Sequence, residues 1–504
     1  MLSLLAASAA LLSVFFAACR HRAVTVVSQE VVVVESYYPG DLLMWEHIAE
    51  ALDPLGFKSA PTAVILPHHA IAAKEIGAMW AGIARTAQPD VIFLLSPDHF
   101  SDGFGKAKTA LQVRWSTVFG DLSPDSELTA ELVRGGFAEF DDKTFAGEHG
   151  IHVHAAFIKK YFPRARFVPI ILGWRPPAER FDRLSLKIAE YIEKSGGKAL
   201  VAGSVDFSHY NPRPVADFHD NATKISLSGF FTKDITGKEV DSPATLRSVM
   251  LIAEELVAMN TECLLNTNSD DFKEFKEVST TSHQFWAFYR GTKHDVRGFS
   301  VLVSGLLEGS AVRMPSRLAW TWDPDKVLPG IGNPDCWLQY LHGEEDRLLS
   351  GADLCLFAFP KPGEIMLWKR ESGKLAVLSL EASFTAETAS RMIAGARKKA
   401  DYLIVTYTHD GSVPVDALLR AFINAGADAV IGRSSLPAEL AWYRGKPYWT
   451  SLGFFAGGKG DTHGELAGIV FDGDRVFVYR IPIVSENGYP RLDTDLLLRE
   501  KSSD

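Results

Sequence analysis

From Thr62 onward, short and uniformly apolar runs alternate with longer stretches whose apolar positions recur every three or four residues. The runs at 63–66, 91–95, 167–172, 199–204 and 285–289 are too short for helices, and their lack of polar alternation predicts strands covered on both faces. Helical periodicity occupies residues 71–87, 152–161, 180–194, 221–231 and 245–259. This order predicts an α/β fold with a mainly parallel sheet flanked by helices.

The same pattern divides the chain. Residues 61–310 form the first expected domain, and 311–334, rich in Pro, Gly and Trp, read as a linker. Alternation of strands and helices resumes over 335–490, a second expected α/β domain, before a tail at 491–504. Residues 23–60 lack recognisable chemistry. Ahead of them, residues 1–22 read as an export signal: an apolar run from Leu2 to Ala18, then Cys19 and the basic group Arg20-His21-Arg22. The run is short for a spanning helix, which needs about 20 residues. Small residues directly before Cys19 resemble the lipobox of bacterial lipoproteins, so a lipid on Cys19 is the expected membrane anchor and the cell envelope the expected location.

Composition narrows the functional classes. A chain of 504 residues, 47% hydrophobic and 23% charged, can bury two sizeable cores. Its formal net charge of −10 and the lack of a dense Lys/Arg stripe argue against nucleic-acid partners. The 4 cysteines, at 19, 263, 336 and 355, form no Cys-x-x-Cys pair and suggest neither a disulfide framework nor structural zinc.

The chemistry concentrates where predicted strands end. Three of them run into histidine-bearing turns: Pro67-His68-His69, Ser96-Pro97-Asp98-His99 and Ser204-Val205-Asp206-Phe207-Ser208-His209-Tyr210. Open α/β sheets bind ligands outside the carboxyl ends of their strands, so these turns aim their imidazoles at one shared metal-binding or catalytic pocket. His209 suits either a third imidazole ligand or a general acid/base, with Asp206 orienting it. His149 suits proton transfer with Glu148 as its partner. His152 and His154 read as core or solvated residues.

These turns, together with Glu148-His149-Gly150-Ile151-His152, resemble the Memo family, also called AmmeMemoRadiSam system protein B, in order and spacing over about residues 60–310. The resemblance implies a relationship to class III extradiol dioxygenases, which hold non-haem iron with two histidines and a carboxylate. It implies His68 or His69 as the first ligand and His99 as the second. Some Memo proteins carry a cysteine at the third position; the corresponding residue here is Glu239, with Asp241 close by. A divalent metal is implied, iron first, with copper or zinc as alternatives. Three functions follow as expectations: a non-haem-metal oxidoreductase acting on a small molecule, a metal-dependent hydrolase, or a non-catalytic protein binding an envelope ligand or polysaccharide. Residues 400–458 resemble the CapA-like capsule-synthesis family, related to metallophosphoesterases. Its Gly-His-x-Pro-His motif is replaced by Gly432-Arg433-Ser434-Ser435-Leu436 and its Ser-Leu-Gly-Asn ends in Phe454, leaving His409 as the surviving ligand type. That domain is expected to be catalytically dead and to act in binding or support.

Overall fold

A computed structural model describes residues 31–35, 54–100, 107–173, 177–275, 277–303, 306–307, 336–339, 356–358, 361–412, 414–456, 462–486, 489–493 and 496. Cys19, the apolar run before it and the 311–334 segment lie outside these residues. Among the described residues, no helix is long and apolar enough to cross a membrane.

Among its described residues, the first half places ten strands and seven α-helices around the site. The strands are β1 (Val32–Glu35), β2 (Ala63–Leu66), β3 (Val91–Pro97), β4 (Ala107–Thr109), β5 (Val113–Ser116), β6 (Ala138–Phe140), β7 (Arg166–Leu172), β8 (Ala199–Ser204), β9 (Asn260–Asn268) and β10 (Ser282–Tyr289). The helices are α1 (Ala73–Thr86), α2 (Ser126–Arg134), α3 (Asp142–Phe145), α4 (His149–Tyr161), α5 (Asp182–Lys194), α6 (Arg213–Ser228) and α7 (Pro243–Glu255). Eight of the strands form one sheet in the order β6-β4-β7-β3-β8-β2-β10-β9. Its centre, β7-β3-β8-β2, is parallel.

Antiparallel pairs join the parallel ones at the flanks. β4 runs antiparallel to β7, β10 to β2, and β9 to β10, so the sheet is mixed. The β9–β10 pair has a simple cause, because antiparallel neighbours need no crossover helix and a short connection suffices. The helix expected over 221–231 instead spans Arg213–Ser228, starting with Pro214 in its first turn and stopping at Gly229. Ser242 caps α7 by accepting from the Thr245 backbone N–H, and Glu148 caps α4 by accepting from that of Gly150.

Strand alternation splits the core into two layers. Ile65, Phe93 and Val201 pack against Leu184, Ile188, Leu246 and Val249 of α5 and α7. Val64, Ile92 and Leu200 pack against Ile76, Met79 and Trp80 of α1 and Ile151 and Phe157 of α4. With both faces covered, the central strands are apolar at nearly every position, which is the signal the sequence carries.

The C-terminal half holds a second sheet, ordered Ile365–Arg370, Gly373–Glu381, Tyr402–Thr408, Ala429–Arg433, Lys446–Ser451 and Glu439–Tyr443. A third sheet joins the two halves: Gly298–Val303 pairs antiparallel with Thr462–Asp472, which pairs with Arg475–Glu486. Helix α6 lies on it, burying Val215, Phe218 and Ile225 among Leu466, Val470, Ile481 and Ile483.

At Gly203 on β8, a Cβ would stand 2.8 Å from both Ile65 Cδ1 and Val249 Cγ2, in a fully packed layer. Gly203→Ala is therefore expected to cost about 1–3 kcal/mol through overpacking, read by urea denaturation.

Candidate metal centre

The site lies at the carboxyl ends of β2, β3 and β8, where the backbone leaves the sheet. His68 follows β2 and is almost fully buried. Its Nδ1 contacts Ser204 Oγ at 2.9 Å, and Nε2 approaches Asp241 Oδ2 at 3.0 Å and Asp206 Oδ2 at 3.5 Å. His99 follows β3; its Nδ1 lies 2.7 Å from Glu148 Oε1, its backbone N–H donates to Glu148 Oε2 at 2.9 Å, and its Nε2 is 3.8 Å from Asp241 Oδ2. His149 opens α4, with its ring centroid 4.2 Å from that of His99 and 5.1 Å from that of His68. One nitrogen from each of His68, His99 and His149 lies within 4.8 Å of the others, so these three could hold a metal ion.

The tautomers follow from donors that cannot accept. Trp80 Nε1–H donates to His154 Nδ1 at 3.3 Å, so the His154 proton sits on Nε2, which donates to Ser204 Oγ at 3.1 Å. Ser204 Oγ lies 2.7 Å from the Gly150 carbonyl, and with its proton donated there it can accept from His68 Nδ1–H. His68 Nε2 is the nitrogen that faces the carboxylates of the pocket. Glu148 does the same for His99: a carboxylate accepts only, so it takes the Nδ1 proton and leaves Nε2 facing Asp241.

Three carboxylates are buried around these rings. Asp206 Oδ1 accepts the backbone N–H groups of His68 at 2.9 Å and His69 at 3.2 Å. Neither carboxylate oxygen of Asp241 makes a well-aligned hydrogen bond, although both are inaccessible to solvent, and its contacts with the imidazoles are ionic approaches. Burial opposes the charge on Asp241, but His68, His99 and His209 outweigh it and hold the carboxyl well below the usual range. Burial likewise opposes the imidazolium of His99, yet the negative charges of Asp241 and of Glu148, the latter hydrogen-bonded to Nδ1, push its pKa up to about 10. His68 is also raised, with burial outweighed by Asp206 and Asp241. His149 moves the other way, to about 4, through burial and the positive neighbours His68 and His99. A divalent cation carries the charge of two imidazolium protons, so exchange of those protons for an ion leaves the pocket electrostatically balanced. Three imidazole nitrogens and a buried carboxylate that faces two of those imidazoles thus fit a metal of intermediate hardness.

The remaining sequence-predicted residues sit around this centre. His69 turns away from His68, with its Nδ1 3.0 Å from His283 Nε2. His209 donates from Nδ1 to the Phe207 carbonyl at 2.6 Å, and its Nε2 lies 3.8 Å from Asp206 Oδ2. Glu239 lies near Asn211, 3.5 Å from its Nδ2, and burial pushes its carboxyl up to about 7. Of the two acids in this segment, Asp241 is the one that meets the imidazoles. His152 and His154 are buried core residues, His152 Nε2 lying 2.9 Å from the Phe145 carbonyl. Sequence reasoning missed His283. Its signal was the polar triplet Ser282-His283-Gln284, entirely buried within a strand.

Residues 40–275 match the family model described as Memo-like protein. A MEMO1 family protein of Pyrobaculum aerophilum is 29% identical over 224 residues, covering 42% of this chain and 77% of the relative. A MEMO1 family protein of Aquifex aeolicus is 26% identical over 237 residues, covering 44% of this chain and 82% of the relative. Among solved structures, the uncharacterized protein JW3007 from Escherichia coli K12 aligns over 45% of this chain and 98% of its own at 11% identity, with a TM-score of 0.32.

The raised pKa of His99 sets a pH dependence. Its folded value of about 10 exceeds the ordinary 6.5, so its stabilising contribution is complete below about pH 6.5 and is lost as pH rises toward 10. Chelator-treated protein is expected to lose stability across that window in urea denaturation, and His99→Ala to flatten the slope.

Proposed function

We propose that this chain, Memo-like over residues 40–275, uses His68, His99 and Asp241 to hold one divalent metal, iron in the working protein, for oxidoreductase chemistry on a small molecule. The observation that carries this reading is the buried Asp241 carboxylate, without an aligned hydrogen bond, facing two imidazoles whose other ring nitrogens are engaged from behind by Ser204 and Glu148. Two histidines and a carboxylate on one face are the donor set typical of non-haem Fe(II), and the metal supplies Lewis-acid and redox chemistry at its open positions.

The chain's own residues supply the rest. Glu148 and Ser204 orient the two ligand rings and make them more basic. His149 lies against His99 on the more accessible side, its side chain 31% exposed, and is kept neutral by its surroundings, so it can join the donor set or accept a proton. His209 uses Nδ1 for the Phe207 carbonyl, which leaves Nε2 as the base available to a bound substrate. The C-terminal half is assigned a supporting or binding role, because among its described residues no cluster of metal-ligating groups accompanies His409. Attachment to a membrane through Cys19 belongs to the same proposal and rests on the N-terminal sequence alone.

Two measurements test this reading. In isothermal titration of the full chain with Co(II), Asp241→Asn is expected to weaken binding at least about 10-fold while Glu239→Gln stays within about 2-fold; the reverse order would move the carboxylate ligand to Glu239. Anoxically loaded Fe(II) protein mixed with oxygenated buffer should consume oxygen, and His209→Ala should slow substrate turnover by about 100-fold or more. Preferential retention of zinc with no oxygen uptake would favour the hydrolytic alternative.

A further inference from the structure

We propose that Asp220, on α6 and outside the ligand set, is a positioning residue for the metal centre: it fixes the Asp206–Ser208 turn that places both His68 and Asp241. The inference rests on the reading of the pocket as a metal site. Asp206 is the hub of that turn, its carboxylate holding the His68 backbone N–H at 2.9 Å and its carbonyl accepting the Asp241 N–H at 3.1 Å. A displacement of this turn therefore moves an imidazole and a carboxylate of the centre together.

The turn is held from the β10 side. Phe207 N–H donates to the Ser282 carbonyl at 3.0 Å, Ser282 N–H to the Ser208 carbonyl at 2.9 Å, and Ser208 N–H to Ser282 Oγ at 2.9 Å. The Ser282 hydroxyl needs an acceptor for its own proton, and Asp220 Oδ1 provides it at 2.6 Å. Asp220 Oδ2 accepts from Asn266 Nδ2 on β9 at 2.8 Å, and the Asp220 backbone carbonyl accepts from Gln284 Nε2 at 3.2 Å. One buried side chain thus ties α6 to both strands beneath the turn. The adjacent His219 adds a second tie, its Nδ1 lying 3.1 Å from Ser208 Oγ.

The other face of α6 is fastened to the C-terminal strands. Phe218 packs edge-on against Tyr479 at 5.9 Å between centroids, and Asn221 donates to the Tyr479 hydroxyl. A Cβ at Gly468 would come within 2.9 Å of the Phe218 ring, so helix and strand meet at closest approach. The C-terminal half thereby fixes the position of the helix from which Asp220 acts, which gives that half a part in the site without any ligand of its own.

The test uses the full chain with Co(II) as probe, its visible spectrum reporting coordination geometry and titration its affinity. Asp220→Asn and Ser282→Ala are expected to weaken Co(II) binding by about 10-fold or more and to shift the spectrum, the range typical of outer-sphere partners of metal ligands. Wild-type affinity and spectrum in both folded single variants would overturn the inference while leaving the metal reading intact. Failure of the wild type to bind Co(II), Fe(II) or Zn(II) would instead remove the metal reading. Hydrogen exchange in the peptide spanning 205–211 then decides the positioning claim by itself: faster exchange in the variants supports it, and unchanged exchange refutes it.

Discussion

Burying carboxylates among imidazoles is the constraint on which the first half of this molecule turns. Asp206, Asp241 and Glu148 are all removed from water, and isolated charges of that kind cost far more than a fold can supply unless each is met by protons or cations in place. The protein meets them with His68 and His99, whose protonated forms are favoured, and with backbone N–H groups. The geometry that neutralises these acids in the metal-free protein is also one that a divalent cation can take over, so stability and function draw on the same set of contacts.

The hydrogen bonds behind the ligands explain why the site is directional. From Trp80 through His154 and Ser204 to His68, the groups form one hydrogen-bonded chain, beginning with an indole that cannot accept and so sets the His154 tautomer. The chain is wholly buried, and burial lowers the His154 pKa to about 3, so that imidazole stays neutral and the sense of the chain does not reverse near neutral pH. The fold supports this from both faces of the sheet, with α1 and α4 carrying Trp80, Glu148 and His149, and α7 beginning two residues after Asp241.

Much of this was legible in the sequence, and the reasons are local. Strands covered on both faces are mostly apolar, so β2, β3, β7 and β8 announced themselves, and a histidine closely following such a strand has little choice but the end of the sheet. His68 and His69 could not be separated by pattern, yet an extended backbone sends neighbours to opposite sides, and the contacts made by each decide which enters the pocket. The antiparallel flank was hidden because β9 is largely polar and half-buried, unlike the central strands, so the arrival of His283 beside His69 could not be read from periodicity. The choice between Glu239 and Asp241 depends on a backbone hydrogen bond to Asp206, a long-range contact that no local pattern encodes.

The identity of the ligand set is the claim on which the assigned chemistry depends. Anomalous diffraction from crystals of the full chain loaded with Fe(II) under anoxic conditions tests it directly. The predicted result is a single strong peak within bonding distance of His68 Nε2, His99 Nε2 and an Asp241 oxygen, with His69 still on His283. A peak held by His69, His209 or Glu239 instead, or none at these residues in well-ordered crystals, would contradict it.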